Sequence, residues 1–491
     1  MALPDPRPVL AVNAGSSSLK FGLYPASADG PAASGGASGE ATFTGEASGL
    51  EPGGRPRWRT GGAPAEALAM ADGQGAFDAA LARLQAEVAL HAPDGLLAVA
   101  HRIVHGGERC TAACRLDADT RAYLATLNPL APLHQPHNLD GVTALARQWP
   151  EVPQVGCFDT AFHATLPVVE RRLPLPAAVV QPQGLRRYGF HGLSYEFLVQ
   201  ALAARSPAVA QGRALLAHLG NGASVCGTVA GRSAATSMGF SALDGLMMGT
   251  RSGALDPGVM LHLLGQGWDR AQLERLLYKE SGLKGVSGLS ADMRTLRASA
   301  DPAAREAIDL FTHRLVREGG AVVAALGGVE AIAFTGGIGE HDALLRAEAC
   351  AAWGFLGVAL DDAANRAATG DAVRAIHAAG SAIEVWVVPT DEGRIAALAR
   401  AHAETALPLA RELGSTFHTV IVLSALAPAR LHAGDVAGAL AAYREQMELA
   451  KRSRNPTFAF IAFCAGAEIA LAQGDEPRLV QQMQRMLTVK Q

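Results

Sequence analysis

The chain has 491 residues, 49% hydrophobic and 18% charged, with a formal net charge of -4 at pH 7. That length favours two or three domains with sizeable cores, and the composition is that of an ordinary soluble globular protein. With no basic excess, neither nucleic acid nor a membrane surface is an expected partner, and a small molecule is.

The cysteines Cys110, Cys114, Cys157, Cys226, Cys350 and Cys464 are scattered, with no Cys-x-x-Cys spacing. That argues against a zinc site or a disulfide framework, and for reduced thiols in a cytoplasm. The opening Met-Ala-Leu-Pro-Asp-Pro lacks the basic start and apolar core of a signal peptide. No uncharged apolar run reaches the ~18 residues of a membrane helix.

In chain order, Val9 to Val12 reads as a strand that ends at the polar turn Asn13-Ala14-Gly15-Ser16-Ser17-Ser18, and Leu19 to Tyr24 returns. Residues 25 to 65 are rich in Gly, Ala, Pro and Ser and read as loops with weak strands. Phe77 to Leu90 has helical spacing. Leu96 to Val104 reads as a buried strand running into His105-Gly106-Gly107. A second strand–turn–strand unit starts at Ala214, turns at Gly220-Asn221-Gly222-Ala223-Ser224 and returns over Val225 to Val229. The repeated design suggests two similar halves facing a shared cleft. A third glycine turn, Gly336-Gly337-Ile338-Gly339-Glu340, follows a strand over Ala331 to Phe334. A last strand, Glu384 to Val388, ends in Pro389-Thr390-Asp391-Glu392, and helical spacing resumes from Arg394. Residues 405 to 491 read as four helices broken at Gly434-Asp435, Asn455-Pro456 and Gly474-Asp475. The two Gly-Asp breaks lie 40 residues apart, as in a pair of tetratricopeptide-like repeats, and a helical extension docked on the body is the plainer alternative.

No Gly-x-x-x-x-Gly-Lys-Ser/Thr loop exists, and no Gly-x-Gly-x-x-Gly opens a helix after a strand. A bound nucleotide would need another device. Glycine turns at strand ends can supply it, because backbone N–H groups approach an anion where no Cβ intervenes. Three further segments add charge: His101-Arg102-Ile103-Val104-His105, Arg186-Arg187-Tyr188-Gly189-Phe190-His191-Gly192 and Met247-Met248-Gly249-Thr250-Arg251-Ser252-Gly253. Arginine binds carboxylate and phosphoryl oxygens bidentately, and phosphoryl transfer mainly needs positioning and positive charge. Taken singly, each arginine is better explained by a surface ion pair, and His191 by a hydrogen-bonded core histidine.

Together, these strings resemble the acetate kinase (acetokinase) family. The resemblance rests on Asn13–Lys20, His101–Glu108, Ala131–Gln135 with Pro136, Phe158–His163, Arg186–Gly192, His218–Ser224, Thr236–Phe240, Gly245–Gly253, Ala291–Arg294, Phe334–Glu340 and Pro389–Glu392. It is collinear from residue 8 to about 404. It implies an α/β, two-domain fold of the acetate and sugar kinase, Hsp70 and actin type with duplicated cores, to which an α-helical C-terminal extension is added. The expected division is 1–160, completed by a helix near 394–404, then 161–393, then the tail. The implied reaction is phosphoryl transfer from ATP to acetate, giving acetyl phosphate and ADP, with Mg2+ (Mn2+ as the alternative) in a cytoplasmic homodimer. By position, Asn13 and Glu392 hold the metal and Lys20 lies near the same loop. Arg102 binds the acyl substrate. Asp159 is an acid–base or metal-positioning carboxylate, and His191 and Arg251 stabilise the transition state. Val104, Leu133, His134, Phe190 and Ala242 line the acyl pocket. His218, Leu219, Gly220, Asn221 and Gly222 form the nucleotide side with Asp292, Met293, Arg294, Gly337, Ile338, Gly339, Glu340 and His341.

The sequence departs from the family pattern in four places. Phe240-Ser241-Ala242-Leu243-Asp244 stands where the family usually reads Phe-Thr-Pro-Leu-Glu. Ala254 stands for Asp, Asp391 for Asn and Gly393 for Glu. Propionate kinase shares nearly all these motifs. A nucleotide-switched binding protein of the Hsp70 or actin type would share the fold but would not need Arg102, His191 and Arg251 beside a small apolar pocket. The tail is a candidate for docking another protein.

Overall fold

The computed structural model describes residues 7–25, 40–71, 73–132, 134–396 and 443–449. One sheet contains β1 (Val9–Ala14), β2 (Ser18–Tyr24), β3 (Phe43–Ser48), β4 (Arg57–Thr60), β5 (Glu66–Ala67), β6 (Ala98–Ile103), β7 (Cys114–Arg115) and β8 (Gln154–Phe158). Its spatial order is β5-β4-β3-β2-β1-β6-β8-β7. The other contains β9 (Arg213–Leu219), β10 (Ala223–Val229), β11 (Arg232–Thr236), β12 (Ala331–Thr335), β13 (Arg374–Ala375) and β14 (Glu384–Val387), in the order β11-β10-β9-β12-β14-β13.

The two sheets repeat one plan. Each has an antiparallel meander, β1-β2-β3 or β9-β10-β11. From its first strand the sheet continues in parallel, through β6 and β8 or through β12 and β14. The duplicated core expected from the sequence is therefore present. The parallel strands are buried on both faces, so they read as unbroken apolar runs; β8 and β12 have no exposed residue.

Helices cover the sheets. Ala76–His91 buries Ala80, Leu84 and Val88 with Leu10, Leu23 and Trp58. The 25-residue helix Pro302–Leu326 places Phe311, Leu315 and Val322 in the core of the second half. Gly192–Leu202 serves both halves. Its Leu193 joins Val9, Ala100 and Cys157 of the first sheet, while Tyr195, Leu198 and Leu202 join Leu216 and Ala333 of the second. It fixes the two halves at the place where their parallel strands end.

Some expectations need correcting. The third glycine turn is a short helix, Gly336–His341. Two adjacent glycines suggested a turn, but the Glu340 carboxylate accepts the Gly336 N–H at 2.8 Å and closes the first helical turn. Residues 25 to 65 hold two well-paired strands, β3 and β4, because their partners across the sheet outweigh their Gly-rich composition. Leu133 lies outside the described residues. So does the expected tail, apart from a helical stretch over 443–449. Among the described residues no helix is long and apolar enough to cross a membrane.

Candidate active site

Arg102 sits one residue before the end of β6, and Asp159 directly follows β8, its parallel neighbour. Arg102 donates to both oxygens of Asp159, from Nε at 3.0 Å and from Nη2 at 2.8 Å. Its Nη1 lies 3.0 Å from Glu392 Oε2. The Asp159 side chain is 2% exposed, and that of Arg102 is 24% exposed. Burial opposes the charge on Arg102, but the two carboxylates more than offset this and hold it a cation. Burial pushes the Asp159 carboxyl above the usual carboxylate range, and Arg102 works against that rise. Gly192 is required where the next helix meets this strand end, since a Cβ there would lie 2.2 Å from the Asp159 carbonyl oxygen.

His191 precedes that helix and adopts φ 59°, ψ 22°. Among the described residues only His191 and Ala230 are non-glycine residues with positive φ. Such a conformation costs on the order of 1–3 kcal/mol and persists where surrounding contacts over-determine it. Here His191 Nδ1 lies 2.8 Å from Ser224 Oγ, and Ser224 Oγ lies 2.5 Å from the Tyr195 hydroxyl. The Tyr195 hydroxyl is buried, and the hydrogen-bond partner in its reach is Ser224 Oγ. Its own hydrogen must therefore go to Ser224, and the serine hydrogen to His191 Nδ1. That order satisfies every buried donor and leaves His191 neutral with its proton on Nε2. Burial drives the His191 pKa well down, helped by His218, Arg102 and Arg251. The His218 ring stacks on that of His191 at 4.3 Å, and burial brings its pKa to about 4. His218 is held in turn by Ser194 Oγ at 2.8 Å, and Ser194 lies 3.2 Å from Thr390 Oγ1.

Arg251 comes from the glycine-rich loop after β11. Its Nη1 donates to the Ala242 carbonyl at 3.1 Å, and its Nη2 to His134 Nε2 at 3.1 Å. His134 can accept because burial, with Arg251 and Arg102 adding to it, lowers its pKa to about 4. Arg251 is itself lowered from the ordinary guanidinium value by burial. His191 and Arg251 flank one point: a Cβ on Gly222 would lie 3.1 Å from His191 Nε2 and 3.8 Å from Arg251 Nη1. Val104 and Phe190 share an apolar cluster with Met238 and Leu246, and Ala242 packs against it.

On the second sheet, His218 and Thr335 are partners at the ends of β9 and β12. The turn Gly220–Gly222 therefore faces the start of the Gly336–His341 helix, with the Gly220 Cβ position 3.9 Å from the Gly337 nitrogen. Gly337 has open space around its Cβ position. Ile338 is partly buried against the core. The carboxylate of Glu340 turns inward, to the N–H groups of Gly336 and Thr390. His341 packs against Gly370. Met293 is buried, and Arg294 is exposed in an ion pair with Asp292 at 2.7 Å.

Asn13 stands opposite Lys20 in the β1–β2 register, so both project from one face. Lys20 is largely exposed, with Nζ 4.0 Å from Glu46. Asp391, beside Glu392, accepts at Oδ1 from the Tyr24 hydroxyl at 2.6 Å and from the Arg394 N–H at 3.0 Å. The Tyr24 hydroxyl also fills the space 2.5 Å from a Gly393 Cβ, so this tyrosine and the unusual glycine go together.

Sequence reasoning missed the supports: Ser194, Tyr195, Ser224, Thr390, Gln135 and Asn138. Asn138 accepts the Val104 N–H at 3.0 Å and donates to the Ala14 carbonyl at 2.6 Å. Gln135 brackets His105 through both its backbone groups. A signal existed for Ser224, a hydroxyl at the start of the otherwise apolar run Ala223–Cys226.

The sequence model of the Acetokinase family matches residues 8–398. An acetate kinase of Rhodopseudomonas palustris is 46% identical over 390 residues, covering 78% of this chain and 95% of that protein. One of Leifsonia xyli is 43% identical over 393 residues, covering 78% and 96%. Among solved structures, Porphyromonas gingivalis acetate kinase superposes with a TM-score of 0.71 at 33% identity, covering 80% of this chain and 98% of that one. A propionate kinase from Francisella tularensis does so at 0.70 and 30%, with the same coverage. The chain belongs to the acetokinase family.

Proposed function

We propose that this chain is an acetate kinase: a carboxylate oxygen of acetate attacks the γ-phosphorus of ATP, the bond to the β–γ bridging oxygen breaks, and acetyl phosphate and ADP result. The observation that carries the reading is the convergence of Arg102, His191 and Arg251 beside the apolar cluster of Val104, Phe190 and Ala242. Acetate is already an anion at neutral pH, since carboxylic acids ionise near pH 4–5. No base is needed. Asp159 then serves to orient Arg102, whose remaining N–H groups face the carboxylate. Arg251 and the His191 Nε2–H neutralise charge that builds on the equatorial phosphoryl oxygens. His134, held neutral, aims Arg251 without repelling it. The Gly220–Gly222 turn and the Gly337 region take the nucleotide.

Magnesium fits the side-chain oxygens of Asn13 and Glu392, while both Asp159 oxygens are engaged by Arg102. Among the described residues no three His, Cys, Asp or Glu side chains converge as a metal cage, which suits an ion that keeps waters and phosphate oxygens as ligands. Bound there, it would supply positive charge between the phosphates. The division at about residues 160 and 393 follows the two sheets. A second copy of the chain is the partner: in the helix Pro257–Gly265 no residue is buried, although Val259, Leu261 and Leu264 lie on its surface. The unpaired thiols suit the cytoplasm.

A coupled ADP assay with acetate, propionate and butyrate tests the reading. Carboxylate-dependent ADP formation, with acetate among the best acceptors, is expected. Turnover that ignores the carboxylate would overturn it and favour a nucleotide-switched binding protein.

A further inference from the structure

The segment after β6 carries more than the acyl-pocket residue Val104. It turns at Gly106–Arg109 and returns as Cys110, before Cys114 opens β7. The Sγ atoms of Cys110 and Cys114 lie 3.8 Å apart. No zinc site or Cys-x-x-Cys motif accounts for the pair. The remaining described thiols are locked away from such chemistry: Cys157 contacts a backbone carbonyl, and burial pushes Cys226 and Cys350 up to about 12.

We propose that Cys110 and Cys114 form a reversible thiol–disulfide pair, closed by hydroperoxides, that controls the carboxylate end of the cleft. The sulfur of one cysteine attacks one peroxide oxygen; the O–O bond breaks, giving a sulfenic acid and releasing one water once protonated. The second sulfur of the pair then attacks the sulfur of the sulfenic acid, and the hydroxyl leaves as a second water. Two thiols and one hydrogen peroxide become one disulfide and two waters. Either order of attack gives the same disulfide and the same two waters. The contact between the two sulfurs and the nearby Arg109 guanidinium favour a thiolate within the pair, against burial. Cys110 is buried and Cys114 partly exposed, so an oxidant reaches the pair from the Cys114 side.

The link to the site is mechanical. To bond, the sulfurs must close from 3.8 Å to about 2.0 Å. Cys114 is anchored opposite Gly156 in the β7–β8 ladder, so Cys110 must move. Cys110 donates its N–H to the Gly106 carbonyl at 3.0 Å, and its own carbonyl lies only 2.3 Å from a Gly106 Cβ position. Gly106 in turn donates to Thr160 Oγ1 at 3.0 Å, beside Asp159. A displacement of Cys110 therefore reaches both the Val104 loop and the strand end that holds Arg102.

The full chain is reduced, treated with hydrogen peroxide, alkylated and digested, with carboxylate kinetics run in parallel. The peptide spanning 110–114 should lose the mass of two hydrogens and resist alkylation. A misplacement of about 1 Å at a catalytic constellation can cost roughly 100-fold, so kcat/KM for the carboxylate should fall by at least about tenfold. Dithiothreitol should restore both readings. Cys110→Ser and, separately, Cys114→Ser should keep basal activity and lose the peroxide response. The proposal is overturned if both thiols still alkylate after peroxide, if the disulfide forms without a kinetic change, or if both serine variants are inactivated like the parent. The mass reading stands apart from the proposed kinase activity, so failure of one is distinguishable from failure of the other.

Discussion

Ser224→Ala removes the hydroxyl that joins Tyr195 to His191. All three side chains are buried, and the two hydrogen bonds lost are 2.8 and 2.5 Å long. The stranded Tyr195 hydroxyl should cost about 1–3 kcal/mol of stability. The catalytic effect is separate. Without a donor at Nδ1, the neutral His191 ring no longer has a fixed tautomer, so its Nε2–H is aimed at the phosphoryl group only part of the time. Deleting a preorganised donor costs about 100- to 1000-fold in kcat. Losing its tautomer alone should cost less, about tenfold, with KM for ATP and acetate nearly unchanged. Tyr195→Phe is the control. It breaks the same pair and costs similar stability, but leaves the Ser224 hydroxyl free to donate to His191, so kcat should stay near the parent value. Steady-state kinetics with parallel thermal melts separate the two effects. Equal kcat losses in the two variants, tracking stability, would refute the relay.

Ala242 presents its carbonyl to Arg251 and its small side chain to the apolar cluster. Room for one more methylene, worth about 0.8 kcal/mol or roughly fourfold, should bring propionate close to acetate in kcat/KM. Ala242→Pro keeps the carbonyl and should restore the preference for acetate; an unchanged acetate-to-propionate ratio would mean another residue sets chain length. Stability should fall steeply with acid. Burial brings His101, His105, His134, His163 and His218 to about 4, so between about 6.5 and 4 the unfolded chain takes up protons that the folded chain refuses. Each such histidine favours unfolding by about 1.4 kcal/mol per pH unit across that window and contributes no further change above it. Melting temperatures flat from pH 6.5 down to 4 would contradict this. Truncation after residue 404 should leave carboxylate kinetics unchanged, since the family match ends at 398; folded but inactive truncated protein would make the tail part of the catalytic unit.

The strand–turn–strand units were legible because buried parallel strands write themselves as apolar runs ending in small polar residues, as Val9–Val12 and Leu215–Leu219 do. The charged residues of the cleft were legible only as motifs. Their partnerships were not, because Arg102 meets Asp159 at a sequence separation of 57, through strand pairing that no local pattern encodes. The helix Gly336–His341 escaped for the opposite reason: it is too short to show a period, and its first N–H is satisfied by the Glu340 carboxylate within the helix. Ser224 and Tyr195 lie 29 residues apart and meet only after β10 pairs with β9 and the Gly192–Leu202 helix packs behind them. The strained backbone of His191 could not be read from its identity, though the neighbouring Gly189 and Gly192 hinted at a tight turn.

The most direct measurement is trapping of the product. Purified chain is incubated with ATP, Mg2+, acetate and hydroxylamine, and acyl hydroxamate and ADP are quantified together. The account predicts hydroxamate in step with ADP, dependent on acetate and on Mg2+, and largely lost in Arg251→Ala. ADP released equally with and without a carboxylate, and no hydroxamate from any short-chain acid, would contradict it.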